Sequence, residues 1–246
     1  MARQHGALRP DPSAAKTVYR RTGANGTEDL GVARTRILEK TSRISVLEPT
    51  VVKEWIRERQ QHGIDQHDEV WEGVYVVPPL ANNSHQALVG GLNAVFHEVV
   101  FIGGRGQVFP GANISARRIG WEQNFRCPDI VVVLKDGLAI DCITHWWGGP
   151  DFLVEIESPK DETEEKIPFY SKLKVRELLI IHRDTRQLRL YRHNGQELAL
   201  VKPSRFQGGQ WLLSEVVPLA FRRRTGRGGP HIELRRTDSK SGAWSI

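Results

Sequence analysis

This chain of 246 residues is short of the groups that several common chemistries require. It has two cysteines, Cys127 and Cys142, and their spacing is not that of a zinc pair. Two cysteines cannot staple a fold of this size, so a reducing, cytoplasmic setting is the default expectation. No apolar run is long enough to span a membrane. The N-terminus carries no apolar stretch of the secretory kind, so no leader is expected. There is no Gly-x-Ser-x-Gly elbow for a serine hydrolase and no glycine-rich phosphate loop followed by lysine. Internal repeats are missing too. Zinc enzymes, Ser-His hydrolases, P-loop nucleotidases and membrane-spanning proteins therefore lack support.

What is present is a globular composition, 39% hydrophobic and 26% charged, long enough for one ordinary domain with a full core. The net charge of +6 hides a division. Residues 1–45 hold nine Lys/Arg against four Asp/Glu, and residues 222–246 hold seven against two. Residues 46–221 hold nineteen against twenty-three. An acidic middle with cationic ends suits a centre that attracts metal ions and arms that lie on phosphates; solvated arginine-rich tails are the plainer account. We expect a basic, largely irregular segment over 1–45, a folded domain over 46–221 and a loose basic tail from 222.

Within the middle, Glu48–Gln61 reads as a short helix. Trp71–Val77 reads as a strand or hairpin interrupted at Gly73 and ended by Pro78-Pro79. Asn83 or Ser84 caps a helix whose apolar stripe is Leu88, Leu92, Val95, Phe96 and Val99, and Gly103-Gly104 stops it. Strands are expected at 107–109, 113–117, 130–134, 152–156, 177–181, 187–191 and 197–201. Asn194-Gly195 is a hairpin turn. A second helix capped by Asp161 or Thr163 runs to about Leu173, with Pro168 imposing a kink or a late start. The result is an α/β (α+β) fold, a mixed sheet flanked by helices, with strands 130–134 and 152–156 antiparallel because no helix joins them.

The chemistry concentrates in Phe125-Arg-Cys-Pro-Asp-Ile-Val-Val-Val-Leu134 and Phe152-Leu-Val-Glu-Ile-Glu-Ser-Pro-Lys160. Each is a β-branched run carrying an acid, and a carboxylate on an apolar strand is costly to bury unless it is paired or binds metal. If the strands are neighbours, Asp129 and Glu155 converge on one Mg²⁺ or Mn²⁺, and the Ile156 carbonyl could complete the shell. Glu157 shares the face of Glu155. Lys160, past the strand end, and Lys166, on the following helix, are the cations that would steady a scissile phosphate or orient water.

The ordered set of motifs resembles the PD-(D/E)XK nuclease superfamily, of restriction endonuclease-like fold. More narrowly it is similar to the Uma-type family of putative restriction endonucleases, a large bacterial group. The residues that carry the likeness are Glu72-Gly73, Pro78-Pro79, His85-Gln86 and Pro128-Asp129, followed by Asp151-Phe-Leu-Val-Glu-Ile-Glu-Ser-Pro159, Glu165-Lys166-Ile-Pro-Phe-Tyr170 and Val175-Arg176-Glu177. Together they span about 69–201. The resemblance implies a metal-dependent nuclease core with Asp129 and Glu155 as ligands. Glu72 and His85 then stand as the upstream acid and the helix-start histidine near the site. Two departures stand out: the third motif position is Glu157 rather than lysine, so Lys166 or Lys160 would supply the charge, and Pro168 interrupts the helix.

The plainer readings are a strand-capping Asp129, a Glu155–Lys166 ion pair without metal, a solvated Glu157 or Glu72, a structural His85 and a Tyr170 that only packs. Trp146-Trp147 reads as a lid or as a stacking platform for unpaired bases, and Arg222-Arg223-Arg224 as a phosphate grip or a solvated tail. The function expected is a Mg²⁺-dependent endodeoxyribonuclease acting on DNA, with no membrane partner. The alternatives are an inactive nucleic-acid-binding or regulatory protein on the same fold and a hydrolase of another phosphate ester. Nucleases of this fold often pair to cut two strands, so a homodimer is a further expectation.

Overall fold

The computed structural model describes residues 44–46, 49–159 and 163–246. Among them three sheets and two longer helices form. The six-stranded central sheet has the spatial order Leu198–Leu200, Leu188–His193, Glu177–His182, Phe152–Glu157, Ile130–Leu134, Gly106–Pro110. Only Phe152–Glu157 and Glu177–His182 run parallel; the other pairs are antiparallel. The sheet is thus mixed, as expected, and the Asp129 and Glu155 strands are adjacent, with Val154 opposite Ile130.

These strands are nearly continuous apolar runs because both faces are covered. Ile130, Val132, Phe152, Val154, Leu179 and Ile181 point into one core, and Val131, Val133, Leu153, Leu178 and Ile180 into the other. The first core is roofed by helix Asn83–Phe96 and its π-helical continuation His97–Ile102, through the expected stripe of Leu88, Leu92, Val95, Phe96 and Val99. The second is covered by helix Ile167–Lys172 through Phe169 and Tyr170. One helix therefore lies on each face.

Several expectations shift. The helix cap is Asn82, whose side chain accepts from the His85 N–H, rather than Asn83 or Ser84. The second helix starts late: a 3₁₀ turn, Thr163–Lys166, precedes it, and Pro168 falls in its first turn, where a missing N–H leaves no bond unmade. Trp71–Val77 becomes a tight hairpin between Glu69–Trp71 and Val74–Val77, with Glu72 (φ 47°) and Gly73 (φ 86°) as the turn. Strand Ile44–Val46 pairs with Val74–Val77, so the boundary at 45 cuts a strand. The remainder of 1–45 lies outside the described residues.

The largest correction concerns 222–246. Instead of a loose tail, Leu219–Gly226, Gly229–Arg236 and Ala243–Ser245 join Ser204–Phe206 and Gly209–Leu213 in a five-stranded antiparallel sheet. Its inner face, Leu212, Leu219, Phe221, Ile232 and Leu234, completes the first core. The rings of Phe96, Phe152 and Phe221 meet with centroids 5.3–6.3 Å apart, locking helix, central sheet and third sheet together. Trp146–Trp147 is a short half-buried strand paired with Ile114–Ser115 and Ile140–Asp141, with Trp146 against Phe109, so it is no free lid. No helix among the described residues is long and apolar enough to cross a membrane.

Candidate active site

The antiparallel ladder between Ile130–Leu134 and Phe152–Glu157 ends at Val154. Beyond that point Asp129 takes over: its Oδ2 accepts from the Ile156 N–H at 2.6 Å, standing in for the next ladder bond. Its backbone carbonyl accepts from Gly111 at 3.1 Å. N–H and C=O of one strand residue share an edge, so the Ile156 carbonyl is carried on the edge Asp129 faces. Asp129 Oδ1 meets His85 Nε2 at 2.9 Å. A carboxylate only accepts, so His85 donates there. Burial works to keep His85 neutral, but the bond to Asp129 prevails and raises its pKa.

Glu155 occupies a row that would otherwise be apolar, two residues from Leu153 on the face of the second core. It is 4% exposed. Lys166 Nζ donates to both its oxygens at 3.0 and 3.2 Å, and the buried Tyr170 hydroxyl donates to Oε1. Burial pushes its pKa up to about 7. Lys166 opposes that rise, whereas the charges of Asp129 and Glu69 add to it. Asp129 and Glu155 are thus close enough to repel one another, and both line one cavity of about 560 Å³ with His85, Lys166, Ile156 and Glu69.

Glu69 was not among the expected residues. Its Oε1 accepts from Lys166 Nζ at 2.8 Å and from the Cys127 N–H at 2.9 Å, and its Oε2 from Trp71 Nε1 at 2.6 Å. Burial would raise its pKa, but Lys166 and these donors hold it below the ordinary carboxylate range. Lys166 is therefore clamped between two buried carboxylates, and its own pKa is raised by them against the effect of burial. Glu69 precedes Val70 and Trp71 as Glu155 precedes Ile156. The same signal, an acid on an apolar strand, would have found it had the strand been started two residues earlier.

The other expected residues fall elsewhere. Glu72 sits in the hairpin turn, where Asn124 Nδ2 donates to it at 2.7 Å, and it does not line the cavity; Glu69 is the acid of that hairpin that does. Glu157 is held by Arg189 at 3.0 Å at the strand end and is also absent from the cavity wall. Lys160 lies outside the described residues. Arg126, buried between the rings of Trp71 (4.4 Å) and Phe169 (4.2 Å), bonds the Val70 carbonyl at 2.8 Å and ties the hairpin to the Lys166–Tyr170 helix. Its burial was not read from the sequence.

Among the described residues no three His, Cys, Asp or Glu side chains gather as a ready metal cage. Mg²⁺ needs no such cage: one or two carboxylates suffice beside waters and substrate phosphates. The hard oxygen donors of Asp129 and Glu155 fit that demand. Glu69 and Glu155 share Lys166, and Asp129 adds a third carboxylate to the same cavity wall, so added positive charge is favourable there.

Comparison with known proteins places the chain in a family. Residues 57–226 match the Uma2 family, whose description reads "Putative restriction endonuclease". No curated protein matches the chain. Among solved structures, one described as a putative nuclease belonging to DUF820 from Anabaena variabilis is 21% identical, with a TM-score of 0.43. The alignment covers 54% of this chain and 75% of that one. The family match takes in the Glu69 hairpin, the capped helix, both acid-bearing strands, the Lys166 helix and the start of the last hairpin, and the chain belongs to the Uma2 family of putative restriction endonucleases.

Proposed function

We propose that the protein is a divalent-metal-dependent endonuclease that hydrolyses phosphodiester bonds of DNA. The observation that carries the reading is the meeting of Asp129, Glu155 and Lys166 on one cavity wall, with Lys166 Nζ 3.0 Å from Glu155. Asp129 and Glu155, with the Ile156 carbonyl beside them, are the residues that would hold Mg²⁺ or Mn²⁺. Bound there, the ion neutralises charge on the scissile phosphate and lowers the pKa of a water.

The chain's own groups supply the rest. His85 donates to Asp129 and the Ile156 N–H pins its other oxygen, which fixes the direction of that carboxylate. Glu155 serves as the second oxygen donor once ionised, and Lys166 and the Tyr170 hydroxyl fix the direction of its carboxylate. Lys166 stays protonated and meets the charge of a phosphate entering the cavity. Glu69 positions that ammonium. The case for an inert binder began with the lack of lysine at position 157. Lys166 supplies that cation from the 3₁₀ turn that leads into the next helix, which favours catalysis.

The test is plasmid nicking in Mn²⁺ by the parent chain, Asp129→Ala and Glu155→Ala. Each substitution should lower the rate by about 100-fold or more, as removal of a central electrostatic group does. Cleavage unchanged in both variants overturns the assignment.

A further inference from the structure

The hairpin Leu219–Gly226/Gly229–Arg236 is longer than the core needs. Its strands pair in full register from Leu219 opposite Arg236 to Gly226 opposite Gly229, closed by the two-residue turn Arg227-Gly228. The inner row is apolar as far as Phe221 and Ile232. The next inner position is Arg223, which is exposed. Ordinary packing does not explain four arginines and no acid between 222 and 231 on a ribbon standing clear of the core.

The four are not equivalent. Arg222 stacks over Trp211 at 4.1 Å and donates to Glu233 at 2.6 Å, so its charge is spent inside the sheet. Arg224 is exposed and lies 3.6 Å from the same carboxylate. Arg227, at the exposed turn, has no charged or hydrogen-bonded partner among the described residues. Arg223 reaches across to the Thr185 carbonyl at 2.7 Å. That contact gives the ribbon a direction. Thr185 belongs to the turn 183–187, which carries Arg186 and an Arg183 already held by Asp184 through Nε and Nη2 at 2.7 and 3.0 Å. Arg183 Nη1 donates to Ser158 Oγ at 3.3 Å, and Ser158 lines the cavity that holds Asp129 and Glu155. Arg186 stands in a left-handed conformation (φ 56°) with a shielded Nε that finds no partner. Cations thus follow one another from the rim of the cavity, over the turn, to the tip of the ribbon.

We infer that Arg186, Arg223, Arg224 and Arg227 form a track for the phosphodiester backbone of a nucleic acid, leading toward the cavity. The class of partner rests on the nuclease reading; the existence of the track does not. A polyanion of regular charge spacing is the ligand that a line of separated guanidiniums suits, each fork taking one phosphate. The contacts are to backbone, so they give affinity and register without sequence preference.

The test is binding in EDTA, where no cleavage can occur, by anisotropy of a labelled DNA duplex of about 30 base pairs at several salt concentrations. Combined Arg223→Ala, Arg224→Ala and Arg227→Ala should weaken binding at least about tenfold near 0.1 M salt. It should also flatten the plot of log affinity against log salt by about 2 to 3 in slope, about 0.9 for each phosphate released. Lysines at the same three positions should keep the slope of the parent. Should the alanine variant not fold, Arg227→Glu, at the exposed turn, is expected to move the slope in the same direction. A slope unchanged in the folded alanine variant or in Arg227→Glu overturns the track, whatever the enzyme cuts. So does loss of binding to phosphatidylserine vesicles through these arginines with DNA binding untouched. A parent that binds DNA along this track but nicks no plasmid in Mn²⁺ keeps the track and removes the nuclease.

Discussion

At the scale of single residues, Glu155 decides how the site responds to pH. Its carboxyl titrates near 7, against an ordinary value near 4.5, because burial and two neighbouring carboxylates outweigh Lys166 and Tyr170. A folded-state pKa above the unfolded one means that the folded chain keeps a proton the unfolded chain has released. Stability therefore falls as pH climbs from about 4.5 to about 7. His85 acts in the same direction. Its pKa is raised above 6.5 by Asp129, so its contribution is complete below that value and is lost as pH rises through the raised one. In EDTA, urea melts from pH 5 to 8 should show the parent losing stability steadily, and Glu155→Gln losing less over the same range. Parallel curves for the two proteins would show that Glu155 is not the group that titrates. The variant also keeps an acceptor for the Tyr170 hydroxyl, so a change in slope reports the lost charge rather than a lost hydrogen bond.

At the scale of elements, the last hairpin is part of the fold's foundation. Ile232 and Leu234 are fully buried in the core that the helix presenting His85 also covers. Replacing either by alanine should cost about 2–5 kcal/mol, the range for deleting a large aliphatic side chain from a packed core. Chemical denaturation measures it, and a loss below about 1 kcal/mol would mean that the third sheet rests on the core without supporting it. This sheet was hidden in the sequence for a physical reason. Its apolar residues alternate with arginine and glutamate, as in Ile232-Glu-Leu-Arg235, so composition reads as polar while one face is core. The central strands were legible because both faces are buried, which leaves unbroken β-branched runs at 130–134 and 152–156. The same contrast marks the site. Asp129 and Glu155 stood out against apolar neighbours, and Lys166 lay on a helix that had to return over the sheet. Glu69 was overlooked because the neighbouring Glu72-Gly73 looked like the motif acid, whereas that pair only closes the hairpin turn. Arg126 gave no signal, since an arginine caged by two rings from distant elements is indistinguishable in sequence from a surface one.

At the scale of the whole molecule, the division of charge seen in the sequence has a spatial counterpart. The cavity is lined by Glu69, Asp129, Glu155 and Lys166, and part of the basic excess stands on the ribbon at 222–236. On the proposed reading, a nucleic acid and a metal ion would be drawn first to different places by opposite fields. Metal entry must also compete with the proton on Glu155, because a carboxylate ligates only when ionised. Mn²⁺ should stabilise the fold by mass action, by about 2.7 kcal/mol at a hundred times its dissociation constant. The rise in melting temperature at fixed Mn²⁺ should be larger at pH 8 than at pH 6, where a carboxyl titrating near 7 is largely protonated. Each pH unit below that value weakens apparent affinity by about tenfold. Asp129→Ala should lose most of the rise at both pH values, since one of the two ligands is gone. A rise of equal size at pH 6 and 8, or one that survives in Asp129→Ala, would locate the ion away from these carboxylates. In that case Glu69 and Glu155 serve only to hold Lys166, and Asp129 to hold His85 and the Ile156 N–H.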